Sequence, residues 1–279
     1  MTRFSPEASR ESEINKTAYT DCPSCGYKNA LAITQTRERT LYHCHAGCSQ
    51  EALWQTLHSL APFITPTKRS KPREPAVPLA FLSALWERSR TPVGTVVETY
   101  LRMRRISAAI PPSIRFLPNH YHKPTRTYWP VMLAAISDAK GRMLALHRTY
   151  LAPDGSAKAP VEPTPAKMTL GQVGGLACHL GTPKNEIAVG EGIETCLSVQ
   201  LATGIPTWAA LSAGGLRRLI LPPAPDAGLV TIAADADVVG IDAARVAALR
   251  WREEGRKIRV IVPSRPGTDF NDLIMEATL

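Results

Sequence analysis

Over the C-terminal third of the chain, short continuous apolar runs alternate with stretches of helical periodicity. Ile187-Ala188-Val189 leads into Gly190-Glu191-Gly192-Ile193-Glu194-Thr195, and Leu229-Val230-Thr231-Ile232-Ala233-Ala234 leads into Asp235-Ala236-Asp237. Short, partly β-branched runs of this kind, each followed by a helical pattern, predict strands buried in a parallel sheet. Pro206 to Leu211 and Lys257 to Val262 read as two further strands. Helices are predicted over 191–203, from Gly214-Gly215 onward, and over 240–254, where Ala243, Val246, Ala247, Leu249 and Arg250 recur on repeating faces. Gly267 to Leu273 follows the last strand as an acidic loop on the same edge. This part is α/β, with a Rossmann-like parallel sheet.

Upstream the rhythm differs. From Ile106 to Gly181 the pattern is one of short strands and turns, with a hairpin formed by 131–136, a turn at Asp138-Ala139-Lys140-Gly141, and 143–151. Before it, 79–90 and 93–104 read as helices, with Phe81, Leu85 and Trp86 as a core-packing stripe. Residues 62–78 are Pro-rich and basic and read as an extended linker. Nearer the N-terminus, Leu31-Ala32-Ile33 and Thr40-Leu41-Tyr42-His43 form a hairpin, and Ser49 caps a helix over 50–60. The expected organisation is therefore a small domain over 16–61, a linker over 62–78, an α+β basic middle domain over 79–183 and an α/β domain over 184–279.

Composition narrows the function. The chain has 279 residues, 44% of them hydrophobic and 20% charged, enough for about two domains with real cores. No apolar run reaches membrane-spanning length, and the N-terminal residues lack a signal-peptide core, so a cytoplasmic protein without membrane contact is expected. The net charge of +9 points to a polyanionic partner, nucleic acid first.

The candidate chemistry lies in two places. Cys22-Pro23-Ser24-Cys25 and Cys44-His45-Ala46-Gly47-Cys48 are paired knuckles joined by a hairpin, the pattern of a zinc ribbon whose four-thiolate site is closed and structural. The second knuckle has three intervening residues, and His43 or His45 stands as an alternative fourth ligand. In parallel sheets ligands sit outside the carboxyl ends of the strands. Glu191, Asp235 and Asp237 are thus candidates to share one crevice, where clustered acids call for divalent cations. Around them, Arg37, Arg39, Tyr42 and His43 of the ribbon are candidate contacts for single-stranded nucleic acid, and Tyr121, Tyr128 and Trp129 intersperse with Lys123 and Arg126. No phosphate loop of the G-x-x-x-x-G-K-[ST] type occurs, which excludes a nucleotide-driven motor.

The strand ending in Glu191-Gly192, followed by Asp235-x-Asp237, resembles the Toprim domain, and the order zinc ribbon, basic middle domain, Toprim resembles DnaG-type primases, particularly those of phages, plasmids and integrated elements. His43-Cys44-His45-Ala46-Gly47-Cys48-Ser49, Leu146 to Leu151 and Lys167 to Gly171 also fit this resemblance. It implies a DNA primase, a nucleotidyltransferase that makes short RNA primers on single-stranded DNA from nucleoside triphosphates. It assigns Glu191, Asp235 and Asp237 as catalytic acids on Mg²⁺ or Mn²⁺. Asp269 and Asp272 resemble a second acidic pair, with the choice between them open, and Arg148, Lys158 and Lys167 resemble contacts to nucleotide or template. A helicase is expected from a separate gene. The alternatives are a Toprim-type metal-dependent nuclease and a RecR-like non-enzymatic nucleic-acid mediator.

Overall fold

The computed structural model describes residues 16–28, 30–35, 40–60 and 77–277. Arg37 and Arg39 lie outside the described residues, as does the linker over 62–76. The chain divides into two compact units, Met1–Glu74 and Pro75–Leu279.

In the first unit, β1 (Lys16–Thr20), β2 (Leu31–Gln35) and β3 (Thr40–Cys44) form an antiparallel sheet in that order, followed by α1 (Gln50–Leu60). The hairpin predicted from sequence is β2–β3, and β1 adds a strand that polar Lys-Thr-Ala-Tyr-Thr did not announce. Ser49 Oγ accepts a hydrogen bond from Ala52 N at 3.2 Å, the expected cap of α1. The core is small: Cys22, Ala30, Leu31, Cys44 and Leu53 are buried, with Tyr42 packed against them rather than facing solvent as the nucleic-acid reading expected.

The second unit begins with α2 (Leu79–Glu87) and α3 (Val96–Met103). On α2 the buried residues are Leu82 and Leu85, whereas Phe81 is exposed, so the stripe is turned by one position from the expected one. Thr95 caps α3 by accepting from Val97 N at 3.2 Å. An antiparallel meander follows: β4 (Ile114–His122), β5 (Thr127–Ser137), β6 (Met143–Tyr150) and β7 (Lys167–Leu170). Side chains alternate across a strand. One face carries Met132, Ala134, Ile136 and Ala145 and packs with α3; the other carries Val131, Leu133, Leu146 and Tyr150 and packs with α2.

A second sheet has the order β12-β11-β9-β10-β8, built from β8 (Cys178–His179), β9 (Glu186–Gly190), β10 (Thr207–Ala209), β11 (Leu229–Ala233) and β12 (Lys257–Ile261). Its four longer strands are parallel and β8 is antiparallel to β10. The helices between them are α4 (Ile193–Thr203), α5 (Ala213–Arg218) and α6 (Val238–Glu253), with α7 (Phe270–Glu276) after the last strand. Ile187, Val189, Val230 and Ile232 point to α5 and α6, while Ala188 and Ala233 pack with Val199 of α4 and Phe270 of α7. Alternation thus explains why the strands read as continuous apolar runs: both faces are covered.

Helix α4 is buried from Ile193 through Val199. Its Ile193, Cys196 and Leu197 share one core with α3 and the meander, so the two sheets of this unit are packed through that helix. Cys178 and Cys196 are buried core residues, as expected. Among the described residues no helix is long and apolar enough to cross a membrane.

Candidate active site

The thiols come first. The Sγ atoms of Cys22 and Cys48 are 3.9 Å apart and those of Cys25 and Cys44 are 3.8 Å apart, and all four lie within 4.8 Å of one another. Zn–S bonds of about 2.3 Å in a tetrahedron put sulfurs about 3.8 Å apart, so this donor set fits a zinc ion. Positive φ at Gly26 and Gly47 turns each knuckle. His43 and His45 pack edge to face at 4.8 Å, outside the cluster, which leaves Cys48 as the fourth donor.

The carboxylates are assembled by the parallel sheet. Gly190 and Ala233 are register partners at the ends of β9 and β11, so Glu191 and Asp235 emerge from adjacent strands. A side chain at Gly190 would come within 3.1 Å of the Ala233 carbonyl oxygen, and one at Gly240 within 2.7 Å of the Asp235 carbonyl oxygen. Small residues at both places let strand end and helix end approach. Asp237 caps α6, its Oδ1 accepting from Gly240 N at 2.7 Å. The loop after β12 is tied to the same edge: Ala236 N donates to Thr268 O at 2.9 Å and Gly267 N to Ala236 O at 2.7 Å. That brings in Asp269, which the acidic-loop reading did not recognise as a helix cap. Asp269 Oδ1 accepts from Asn271 N and Asp272 N, its Oδ2 accepts from Thr195 Oγ1 at 3.0 Å, and Asp272 Oδ2 returns a bond from Asp269 N at 3.0 Å.

The electrostatics tie these acids into one group. Burial, then Asp235 and Asp237, pushes the Glu191 carboxyl up to about 7. Burial, then Asp269 and Asp237, pushes Asp235 up to about 6, with Asp272 acting more weakly than Asp269. Asp235 Oδ1 is buried without a hydrogen-bond partner. Mutually raised carboxyls around an orphaned oxygen fit a divalent cation, which supplies the missing positive charge. Among the described residues the carboxylates do not draw as close together as the thiols do.

Two of the three basic candidates meet on Glu194, in the helix that follows Glu191. Lys167 Nζ is 3.0 Å from Glu194 Oε2, Lys158 Nζ is 4.0 Å from Glu194 Oε1, and the field of Lys167 reaches Asp235. Arg148 stands apart. On β7, Lys167 pairs with Thr149 and Met168 with Arg148, so Arg148 lies on the opposite face of the meander. There its guanidinium lies 3.3 Å from His120 Nε2 and donates to Thr169 O at 3.3 Å and Tyr150 Oη at 3.4 Å. Tyr121 and Tyr128 are register partners at the end of the β4–β5 hairpin, both exposed, with ring centroids 5.1 Å apart.

Sequence reasoning missed Glu194 and Tyr100. The signal for Glu194 was a lone charge inside an otherwise uncharged helix, three residues after Glu191. Tyr100 carried no signal of its own.

Residues 186–278 match the model of the Toprim domain, and residues 79–180 match a domain of unknown function (DUF7146). No curated protein matches the sequence. Among solved structures, the chain is similar to a DNA primase domain from Pseudomonas aeruginosa, at 17% identity over 71% of this chain and 74% of that one, with a TM-score of 0.46. It is similar to the zinc-binding and RNA polymerase domains of the Aquifex aeolicus primase, at 14% identity over 96% and 77%, with a TM-score of 0.48. It is similar also to the primase fragment of the bacteriophage T7 primase-helicase protein, at 15% identity over 93% and 95%, with a TM-score of 0.43. Likenesses this distant leave function to be argued from the chain's own residues. What the chain carries over residues 186–278 is a Toprim domain, behind a four-cysteine cluster, the two outer parts of the order on which the resemblance to DnaG-type primases rests.

Proposed function

We propose that this protein is a DNA primase that makes short RNA primers on single-stranded DNA, in the replication of a phage, plasmid or integrated element, with strand separation supplied by a separate helicase. The observation that carries this reading is the acid crevice with the Lys167 ammonium acting on it, and Lys158 sharing with Lys167 the carboxylate of Glu194. Hydrolysis of a phosphodiester needs the acids, their ions and a water molecule as nucleophile. Extending a strand from a triphosphate also needs cations for the charge that grows on the departing pyrophosphate.

In the proposed reaction the 3′-oxygen of the growing strand forms a bond to the α-phosphorus of the next nucleoside triphosphate. The bond from that phosphorus to the bridging oxygen breaks, and pyrophosphate carries the electron pair away. Asp235, Asp237 and Asp269 would hold the divalent ions together with Glu191, and Asp272 supports Asp269 through the cap it shares with it. When bound, those ions supply charge stabilisation at the attacking and leaving oxygens. A Glu191 carboxylate oxygen would accept the proton lost by the 3′-hydroxyl. Lys167 and Lys158 would neutralise the β- and γ-phosphates. Arg148, on the far face of the meander, is assigned to template rather than triphosphate, and Tyr121 and Tyr128 to stacking on its bases. The ribbon, stabilised by its zinc, would take part in choosing the start site.

The test is the full-length protein incubated with mixed-sequence single-stranded DNA, nucleoside triphosphates and Mg²⁺. New oligonucleotides are expected, and Glu191→Gln and Asp235→Ala should abolish them while leaving the fold intact. Shortened template would instead mean a nuclease, and DNA binding without either product a mediator.

A further inference from the structure

We infer that Glu194 is a positioning residue: its buried carboxylate gathers the ammonium groups of Lys158 and Lys167 at the edge of the acid crevice, so that, resting on the primase reading for the identity of the anion, an incoming triphosphate meets a cationic pair already in place. The carboxylate is surrounded from three elements. Tyr100 of α3 donates to Oε1 at 2.8 Å, Lys167 of β7 donates to Oε2 at 3.0 Å, and Lys158, from the segment between β6 and β7, lies 4.0 Å from Oε1. The Glu194 side chain is only 8% exposed, whereas those of Lys167 and Lys158 are 38% and 34% exposed, so both amines keep donors open to solvent.

Charge counting separates this from an ordinary structural ion pair. A buried carboxylate is neutralised by one ammonium. Here two converge on one carboxylate, which leaves a surplus positive charge beside the crevice. Lys167 already acts on Asp235 from that position. Burial on its own would raise the Glu194 carboxyl, yet Lys167 and then Lys158 carry it down to about 2, so it stays charged throughout the working range. Burial lowers the Lys158 amine, with Lys167 and Arg104 adding to the fall and Glu194 opposing it. His147 of β6 also faces the group. Burial, then Lys167, brings it down to about 4, so it is neutral at physiological pH and does not compete for the carboxylate. Tyr100, raised by burial and by Glu194, stays protonated. Cys196, two residues along α4 and raised by burial, stays a thiol. Without the Glu194 charge, Lys158 would face Lys167 and Arg104 with its principal acid partner gone, and Lys167 would keep only Asp235.

The experiment uses the full chain with ¹³C-labelled lysine side chains, titrated by NMR as wild type and as Glu194→Gln. In the wild type the Glu194 carboxylate should hold the proton on the Lys158 amine against burial. In Glu194→Gln the Lys158 amine should lose its proton earlier, by about one pH unit or more. In parallel, inorganic tripolyphosphate binding is measured by calorimetry. Relative to wild type, Glu194→Gln should bind about tenfold more weakly, with the ratio widening from pH 7 to pH 9. Glu194→Gln combined with Lys158→Met removes one charge of each sign, so it should fold even if the single variant does not, and with one amine left it should bind tripolyphosphate more weakly than wild type; wild-type affinity in it would overturn the assignment. Unchanged lysine titration, or unchanged tripolyphosphate affinity across this range, would overturn the assignment. Primer synthesis by wild type and Glu194→Gln with the same KM for nucleotide would also overturn it while leaving the primase reading standing. Shifted lysines in a protein that makes no primers would do the reverse.

Discussion

At the scale of single residues, the crevice is a set of like charges held together by the fold around it. A carboxyl raised in the folded state binds its proton more tightly there than in the unfolded chain. For Asp235 the ordinary value is 3.8 and the folded value about 6, so the cost of the site is absent below about pH 4, grows as the pH rises and is fully present above about pH 6. For Glu191 the corresponding window runs from 4.5 to about 7. Partial exposure screens this repulsion, and about 1 kcal/mol is a realistic share for Asp235. Asp235→Asn should therefore raise the melting temperature of the metal-free protein at pH 8 by about 2–4 °C. The same variant should lose most of the further rise that Mg²⁺ or Mn²⁺ gives the wild type. Melting curves at pH 5 and pH 8, with and without the ion, measure both effects. A variant that melts lower at pH 8 without metal would show that Asp235 is a stabilising partner and not a repelled one.

At the scale of elements, α7 shows how a short helix can carry a site and escape notice. Its seven residues follow Gly-Thr-Asp and include a second aspartate, a composition that reads as loop. The helix exists because Asp269 and Asp272 cap it reciprocally and because Asn271 is buried against two other elements. Asn271 Nδ2 donates to Arg104 O at 2.9 Å, just past α3, and to Ser198 Oγ of α4 at 3.0 Å. Asn271→Ala should cost about 1–2 kcal/mol, since it leaves the half-buried Arg104 carbonyl without its donor, and should loosen Asp269 with the helix. Urea unfolding of the variant checks the first effect and its Mg²⁺ response the second. The short apolar strands, α1 and α6 were legible because one pattern governs most residues in each. So were the three leading acids, which stand at strand ends. The separation of Arg148 from Lys167 was not, since it depends on the β6–β7 register, set by a connection whose length and turns carry no periodic signal. Glu194 was hidden for a related reason. Its partners are 27, 36 and 94 residues away in sequence, and only the packing of α4 between two sheets brings them to it.

At the scale of the whole molecule, the two units depend on different forces. The second has cores in which whole strands and helices bury large side chains such as Trp251, Tyr100 and Tyr150. Among the described residues of the first, six apolar residues are buried, and two of these, Cys22 and Cys44, belong to the four-thiol cluster. A core of that size does not offset the entropy of ordering its chain, so the unit's stability is tied to the ion its thiols fit. Deprotonated thiols within 4.8 Å of one another would repel once the ion is gone. Chelation of zinc from the full-length protein should therefore remove amide-exchange protection from Leu31–Gln35 and Thr40–Cys44 while leaving it at Glu186–Gly190 and Leu229–Ala233. Cys44→Ser should do the same without a chelator. Cys178→Ser, at a buried thiol of the parallel sheet, should leave the zinc content unchanged. If the strands leading to Glu191 and Asp235 lost protection at the same chelator concentration, the metal would be holding the second unit as well, and the division of the molecule into separately stabilised parts would be wrong.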